Sequence, residues 1–162
     1  MSAFVELQKQ HHWLQKLVGE WTYEGEALSG PGKPAEKFHG TETVRALGGA
    51  WVVCEGQGEM PGSGTASSLL TLGYDTKQQR FVGTWVGSMM DRLWVYDEGF
   101  LDAAGKTLTL GAEGPDFEVE GKTAKYRDVI EFKSDDHRTL SAWVLGKDGQ
   151  WASFMTTHYR RR

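Results

Sequence analysis

The chain has 162 residues, 39% of them apolar and 25% charged, a balance that suits a folded domain and excludes a low-complexity or disordered one. Its net charge is −4 and its one basic cluster is Arg160-Arg161-Arg162, which excludes the extended basic face of a nucleic-acid binder. A single cysteine, Cys54, excludes an intrachain disulfide, and no apolar run approaches the roughly 18 residues that a membrane-spanning helix needs.

The opening residues, Met1-Ser2-Ala3-Phe4-Val5-Glu6, carry neither the basic start nor the apolar stretch of a signal peptide. A cytoplasmic location and one domain over residues 1–162 are therefore expected. Phe4, Leu7, His11, Leu14 and Val18 recur at helical spacing. They predict one amphipathic helix over about residues 3–18, capped by Ser2 and closed by Gly19.

From Trp21 the period drops to two, with Trp21, Tyr23 and Gly25 against Glu20, Thr22, Glu24 and Glu26. A turn-rich loop at 29–33 follows, then strands at 37–47 and 51–60 joined by Gly48-Gly49, a strong hairpin signal. Beyond a second loop at 61–64, strands at 68–74 and 80–87 flank Asp75-Thr76-Lys77, and strands at 92–100 and 106–111 flank Asp102 and Gly105. Residues 114–122 are polar and poorly periodic. Strands at 125–133 and 138–145 flank Asp135-Asp136, and Lys147-Asp148-Gly149 turns the chain into a last strand at 150–160. An unbroken run of about ten hairpin-linked strands predicts an all-β fold: an antiparallel up-and-down barrel over about 19–160, closed so that no edge is left exposed. A barrel of this size can enclose one small ligand.

The seven tryptophans are the most suggestive side chains, since six of them fall on predicted strands. Aromatic rings inside a barrel line an apolar pocket, and their N–H groups orient a ligand. The expected pocket is drawn from Trp85, Trp94, Trp143 and Met155, with Met89-Met90 as adaptable apolar surface at its mouth. Arg45, Glu55 and Arg92 are the candidate polar groups: Glu55 alternates in phase with Trp51 and Val53 and Arg45 lies on the paired strand, so the two would either pair with each other or bind a polar ligand head. Glu118 and Glu120 are expected on one face of a solvated strand edge, and Cys54 as a small packed hydrophobe.

Catalytic and metal signatures are missing: Pro61-Gly62-Ser63-Gly64 is not a nucleophile elbow, and no His-x-x-x-His or Cys-x-x-Cys spacing occurs. Catalysis in the barrel would fall to Glu55, Asp91 or Arg92. Apolar residues on both faces of several strands, such as Val82 and Val86 against Phe81 and Trp85, leave room for a homodimer interface.

The helix followed by Gly19-Glu20-Trp21 resembles the opening of lipocalins and their calycin relatives. That resemblance implies that Trp21 closes the base of the barrel and that Arg160 or a neighbour packs on it. A fuller pattern extends it: His12-Trp13-Leu14, Leu17-Val18-Gly19-Glu20-Trp21, Leu47-Gly48-Gly49-Ala50-Trp51, Leu72-Gly73-Tyr74-Asp75 and Trp85. It resembles a bacterial lipocalin-like family catalogued as domain of unknown function 1579, which implies the fold and no activity. More distantly the chain resembles the nitrobindins, haem-binding barrels that use a histidine on a late strand, a role that would fall to His158. The nitrobindin first-strand motif is absent, and Trp21-Thr22-Tyr23-Glu24-Gly25 stands in its place. The leading expectation is a barrel that holds a small, largely apolar ligand without a cofactor or nucleic acid. An enzyme acting in the same cavity, or a homodimeric module with a filled barrel, are the alternatives.

Overall fold

A computed structural model describes residues 5–28, 32–60 and 64–162, with only the backbone described at Met60. The predicted loops at 29–33 and 61–64 and the Ser2 cap fall largely outside these residues. A helix, α1 (Lys9–Gln15), precedes ten strands: β1 (Gly19–Ala27), β2 (Glu36–Leu47), β3 (Trp51–Met60), β4 (Gly64–Asp75), β5 (Arg80–Gly87), β6 (Trp94–Leu101), β7 (Thr107–Pro115), β8 (Thr123–Ser134), β9 (His137–Leu145) and β10 (Trp151–Arg161). Each strand pairs antiparallel with its neighbours in sequence, and β1 pairs with β10 from Trp21↔Arg161 to Ala27↔Met155. The ring is closed, so every strand has partners on both sides.

The helix is shorter than its apolar spacing predicts. Residues 5–7 are not helical, and the helix begins where the Gln8 N–H donates to His11 Nδ1 at 2.9 Å, the reciprocal half of a capping box. His11 is thereby buried as a cap, edge-on to Tyr74, rather than as one more residue of an apolar stripe. Gly19 does not cap the helix, whose C-cap is Lys16; it opens β1 with φ +144°, a backbone conformation that favours glycine.

Residues 116–122 form a loop rather than a strand edge, ordered by Asp116 Oδ1 accepting from the N–H groups of Glu118 and Val119.

Alternation fixes what each strand turns inward. At the helix end the inward residues are large: Trp21, Val44, Val52, Leu72, Phe81, Leu108 and Phe132 join Trp13, Leu14 and Leu17 of the helix segment in one core. Full burial of each such side chain contributes about 1.5–3 kcal/mol. Two side-chain bonds hold the helix across this end. Trp13 Nε1 donates to Gly105 O (2.7 Å) in the β6–β7 turn, and Gln15 Nε2 to Gly49 O (3.3 Å) in the β2–β3 turn.

Trp21 is fully buried at the base, and its Nε1 donates to Leu17 O at 2.9 Å. Among the arginines at the end of the chain, the one whose guanidinium lies over its ring is Arg161, at 4.2 Å. Arg160, named from sequence together with its neighbours, pairs with Thr22 and is exposed. The reason is parity: Arg161 is the cross-strand partner of Trp21 and shares its face, whereas Arg160 faces away. Arg161 also donates to Val18 O (2.9 Å) and Lys16 O (3.1 Å), the carbonyls left open beyond the helix. A Cβ on Gly19 would sit 2.4 Å from Arg161 Nη1, so this glycine clears the path of the guanidinium.

Arg161→Ala removes the stacking and these charge-assisted bonds together. It should cost roughly 2–3 kcal/mol in urea unfolding, while Arg160→Ala stays within about 0.5 kcal/mol. Equal effects of the two substitutions would remove Arg161 from its role at the base.

Candidate functional site

Towards the other end of the barrel the inward residues shrink and the interior opens. Gly56, Ser68, Ala66, Ala112, Ala142 and Thr157 line a cavity of about 360 Å³ together with Tyr23, Phe38, Leu70, Leu110, Ile130 and Leu140. Its rim carries Trp85, Met89, Met90, Trp94, Phe117, Tyr126, Phe154 and Met155. A volume in the range of about 300–1,000 Å³, walled by aromatic and aliphatic groups with few polar ones, is typical of small-molecule sites.

Glycines make the wall possible. A Cβ at Gly40 or Gly58 would fall 2.5 or 2.3 Å from Tyr23 Oη, so the two bare backbones seat the tyrosine against the sheet. Gly114 does the same for the Trp94 ring, and Gly87 for Trp85 and the Met89 sulfur. The Trp94 indole N–H also points at Met90 Sδ, 3.2 Å away. Trp94, Phe117 and Phe154 each meet Tyr126 edge-on, with centroids 5.2, 5.7 and 6.2 Å from it. A bulge between Ser153 and Met155 turns both Phe154 and Met155 toward the cavity.

The polar groups lie at the floor and on one wall. Arg138 and Glu42 form a buried ion pair, and the guanidinium lies over Tyr159 at 4.0 Å and Trp21 at 4.6 Å. Glu42 and Tyr159 border the cavity, so this pair stands between the filled base and the hollow end. Tyr159 keeps its proton well above the ordinary range, chiefly because it is buried and then because Glu42 is near. Burial likewise pushes the Cys54 thiol up, which leaves it a small packed hydrophobe rather than a nucleophile.

Asp128 stands apart. It sits in the inward series Tyr126, Asp128, Ile130 and Phe132 of β8, and its Oδ2 accepts a hydrogen bond from the Tyr96 hydroxyl. Asp128 keeps some accessible surface, yet desolvation dominates its titration; the accessible part borders the cavity rather than bulk water. Burial pushes its carboxyl up to about 6, and the hydrogen bond from Tyr96 offsets only part of that. Tyr96 itself is held protonated by burial and by the carboxylate beside it.

Of the side chains named from sequence, Trp85, Trp94 and Met155 come together in the cavity. Trp143 does not: it alternates with the inward Ala142 and donates from outside to Ser141 Oγ at 2.9 Å. Arg45 and Glu55 pair with each other at 3.2 Å on the outer surface, each about half exposed, because Cys54 and Gly56 take the inward positions of β3. Arg92 precedes β6 and is exposed, lying over the Trp94 ring at 5.5 Å and donating to Glu113 O at 3.3 Å. Asp91 is exposed beside it. His158 lies on the outer face between the inward Thr157 and Tyr159, and its Nδ1 is 3.0 Å from His137 Nε2. No histidine lines the cavity among the described residues, so the interior does not fit a haem held by an axial histidine.

Residues 6–161 match the model of the family described as protein of unknown function (DUF1579). The chain belongs to this family. No functionally curated protein matches it. Among solved structures it is similar to Rv2717c from M. tuberculosis, with TM-score 0.63 and 12% identity over 97% of this chain and 99% of that one. It is also similar to the S-type phycobiliprotein lyase CPES from Guillardia theta, with TM-score 0.61 and 11% identity over 98% of each chain. A third similar structure is EF1p2_mFAP2b bound to DFHBI, with TM-score 0.50 and 13% identity over 94% of this chain and 98% of that one. At these identities the likeness is one of fold.

An Asp128 carboxyl that titrates near 6, above its value in the unfolded chain, favours the folded state at low pH; that contribution is lost as pH rises through about 6. Asp128→Asn should therefore be more stabilising at pH 7.5 than at pH 4, by about 2–3 kcal/mol in paired urea titrations. A mutational difference that does not change with pH would show that Asp128 is not desolvated.

Proposed function

We propose that this protein binds a small, largely apolar molecule non-covalently inside the barrel. The observation that carries the reading is the hollow half of the barrel: about 360 Å³, walled by aromatic and aliphatic side chains and rimmed by Trp85, Met89, Met90 and Trp94. Burying apolar ligand surface there is worth about 25 cal/mol per Å² before the costs of association. The unbranched methionines at the rim adapt their shape to what passes. A solved barrel of similar fold holding DFHBI supports the reading, since it shows that this architecture admits a compact ligand. We place the protein in the cytoplasm, with the unpaired Cys54 thiol as support.

A second reading is self-association through the outer face of the sheet. Leu69 and Val86 are cross-strand partners there, and Val95 on β6 and Leu93 just before it extend the exposed apolar patch. Sedimentation of wild type against Leu69→Lys/Val86→Lys tests it, and a monomer in both samples would remove it.

Native mass spectrometry of freshly purified protein should show a small-molecule adduct that is lost on denaturation. Independently, Ala142→Phe puts a ring into the cavity from a buried inward position. It should weaken binding of Nile red, a neutral apolar dye, at least tenfold while the circular dichroism spectrum is kept. Unaltered dye binding would place the site elsewhere.

A further inference from the structure

We infer that the preferred ligand is an apolar molecule carrying a protonated nitrogen, and that Asp128, presented by Tyr96, receives that nitrogen inside the barrel. The inference rests on the container reading and names the chemistry of its occupant.

Four carboxylates border the cavity, Glu42 and Asp128 within it and the exposed Glu36 and Glu59 at its open end, and no Lys, Arg or His does so among the described residues. One of the four is neutralised: Glu42 is paired with Arg138. Asp128 has no cation beside it among the described residues. Its cross-strand partners are Leu110 on β7 and Ala142 on β9, both apolar. The ionisable groups around it are Tyr96 from β6, Tyr126 on its own strand, Tyr159 from β10 and the Glu42–Arg138 pair across the floor. The tyrosines are neutral and the pair sums to zero.

The Tyr96 hydroxyl donates to Oδ2, and Oδ1 has no side-chain donor among the described residues. A carboxylate in an apolar wall with one oxygen committed accepts a donor, and accepts a charged donor best. An acidic lining draws organic cations and repels fatty-acid-like anions. A single ammonium on an apolar body therefore matches the cavity in both parts: the body meets the aromatic walls, and the charge cancels Asp128.

Three probes with one apolar body test this: 2-(aminomethyl)naphthalene, 2-naphthalenemethanol and 2-naphthoate, titrated calorimetrically into the full chain at pH 7.5. The amine should bind at least tenfold more tightly than the carboxylate. Asp128→Asn should lower amine affinity about tenfold and leave the alcohol within about twofold. Amine affinity should fall as pH drops through about 6, where Asp128 takes up a proton while the amine stays charged. Tyr96→Phe should move that midpoint upward, because the lost hydrogen bond held the carboxyl down. This last shift keeps the inference open to test should Asp128→Asn fail to fold.

A carboxylate probe that binds as well as the amine overturns the inference and leaves the container standing. Binding by none of the three, with Nile red also excluded, overturns the container itself.

Discussion

A closed ring of ten strands is too wide to be filled by one layer of ordinary side chains, so the fold depends on how its two ends are treated. The helix end is plugged. Trp21 lies at the centre of the plug, tied to Leu17 O through its indole N–H, with the Arg161 and Arg138 guanidinium groups within 4.6 Å of its ring. Arg161 joins the last strand to the carbonyls beyond the helix, so one side chain ties together ring closure, base and helix. With that end held, the other half of each strand is free to turn small residues inward.

The inward series on several strands records the change. On β4 it runs from Leu72 through Leu70 to Ser68 and Ala66, on β7 from Leu108 through Leu110 to Ala112, and on β9 from Arg138 through Leu140 to Ala142. Aromatic rings are not excluded from the hollow half; they are laid against its walls. Gly40, Gly58, Gly87 and Gly114 lack the Cβ atoms that would push Tyr23, Trp85 and Trp94 into the middle. The glycine excess of the sequence thus shapes the cavity as well as the turns. The cost is packing density: a barrel with large residues at Ala66, Ala112 and Ala142 would bury more apolar surface and leave nowhere for a ligand.

Much of the fold was legible in the sequence because period-two patterns and turn residues are local signals. The strands at 51–60 and 80–87 have the limits that pattern and turns assign them. Apolar spacing does not locate the helix start, because a capping interaction between Gln8 and His11 overrides it and neither residue is a common cap. In the cavity, the aromatic signal led to Trp85, Trp94 and Met155. It led astray at Trp143 because the 138–145 strand is apolar on both faces, and hydropathy does not then say which face is inside. Alternation with Val53 does not place Arg45 and Glu55 inside, because Val53 is itself buried on the outer side of the wall. The sharper signal lies in β8: an Asp in phase with Tyr126, Ile130 and Phe132, alternating with Arg127, Glu131 and Lys133. A charge on the apolar phase of a strand marks an interior polar site more sharply than any aromatic count.

The two interior carboxylates show what that phase error means physically. Glu42 is matched by Arg138, whose guanidinium also meets the Tyr159 and Trp21 rings, and the resulting unit behaves as a neutral polar floor. Among the described residues Asp128 is matched only by the Tyr96 hydroxyl, which cannot cancel its charge. Structural reasons account for Glu42, since it anchors an arginine that packs on the plug. They do not account for Asp128, where an Asn or a Leu would satisfy Tyr96 or the wall at less cost in desolvation. A carboxylate kept in the wall of a hollow barrel against its own solvation preference is what a site for a cationic or hydrogen-bond-donating ligand requires.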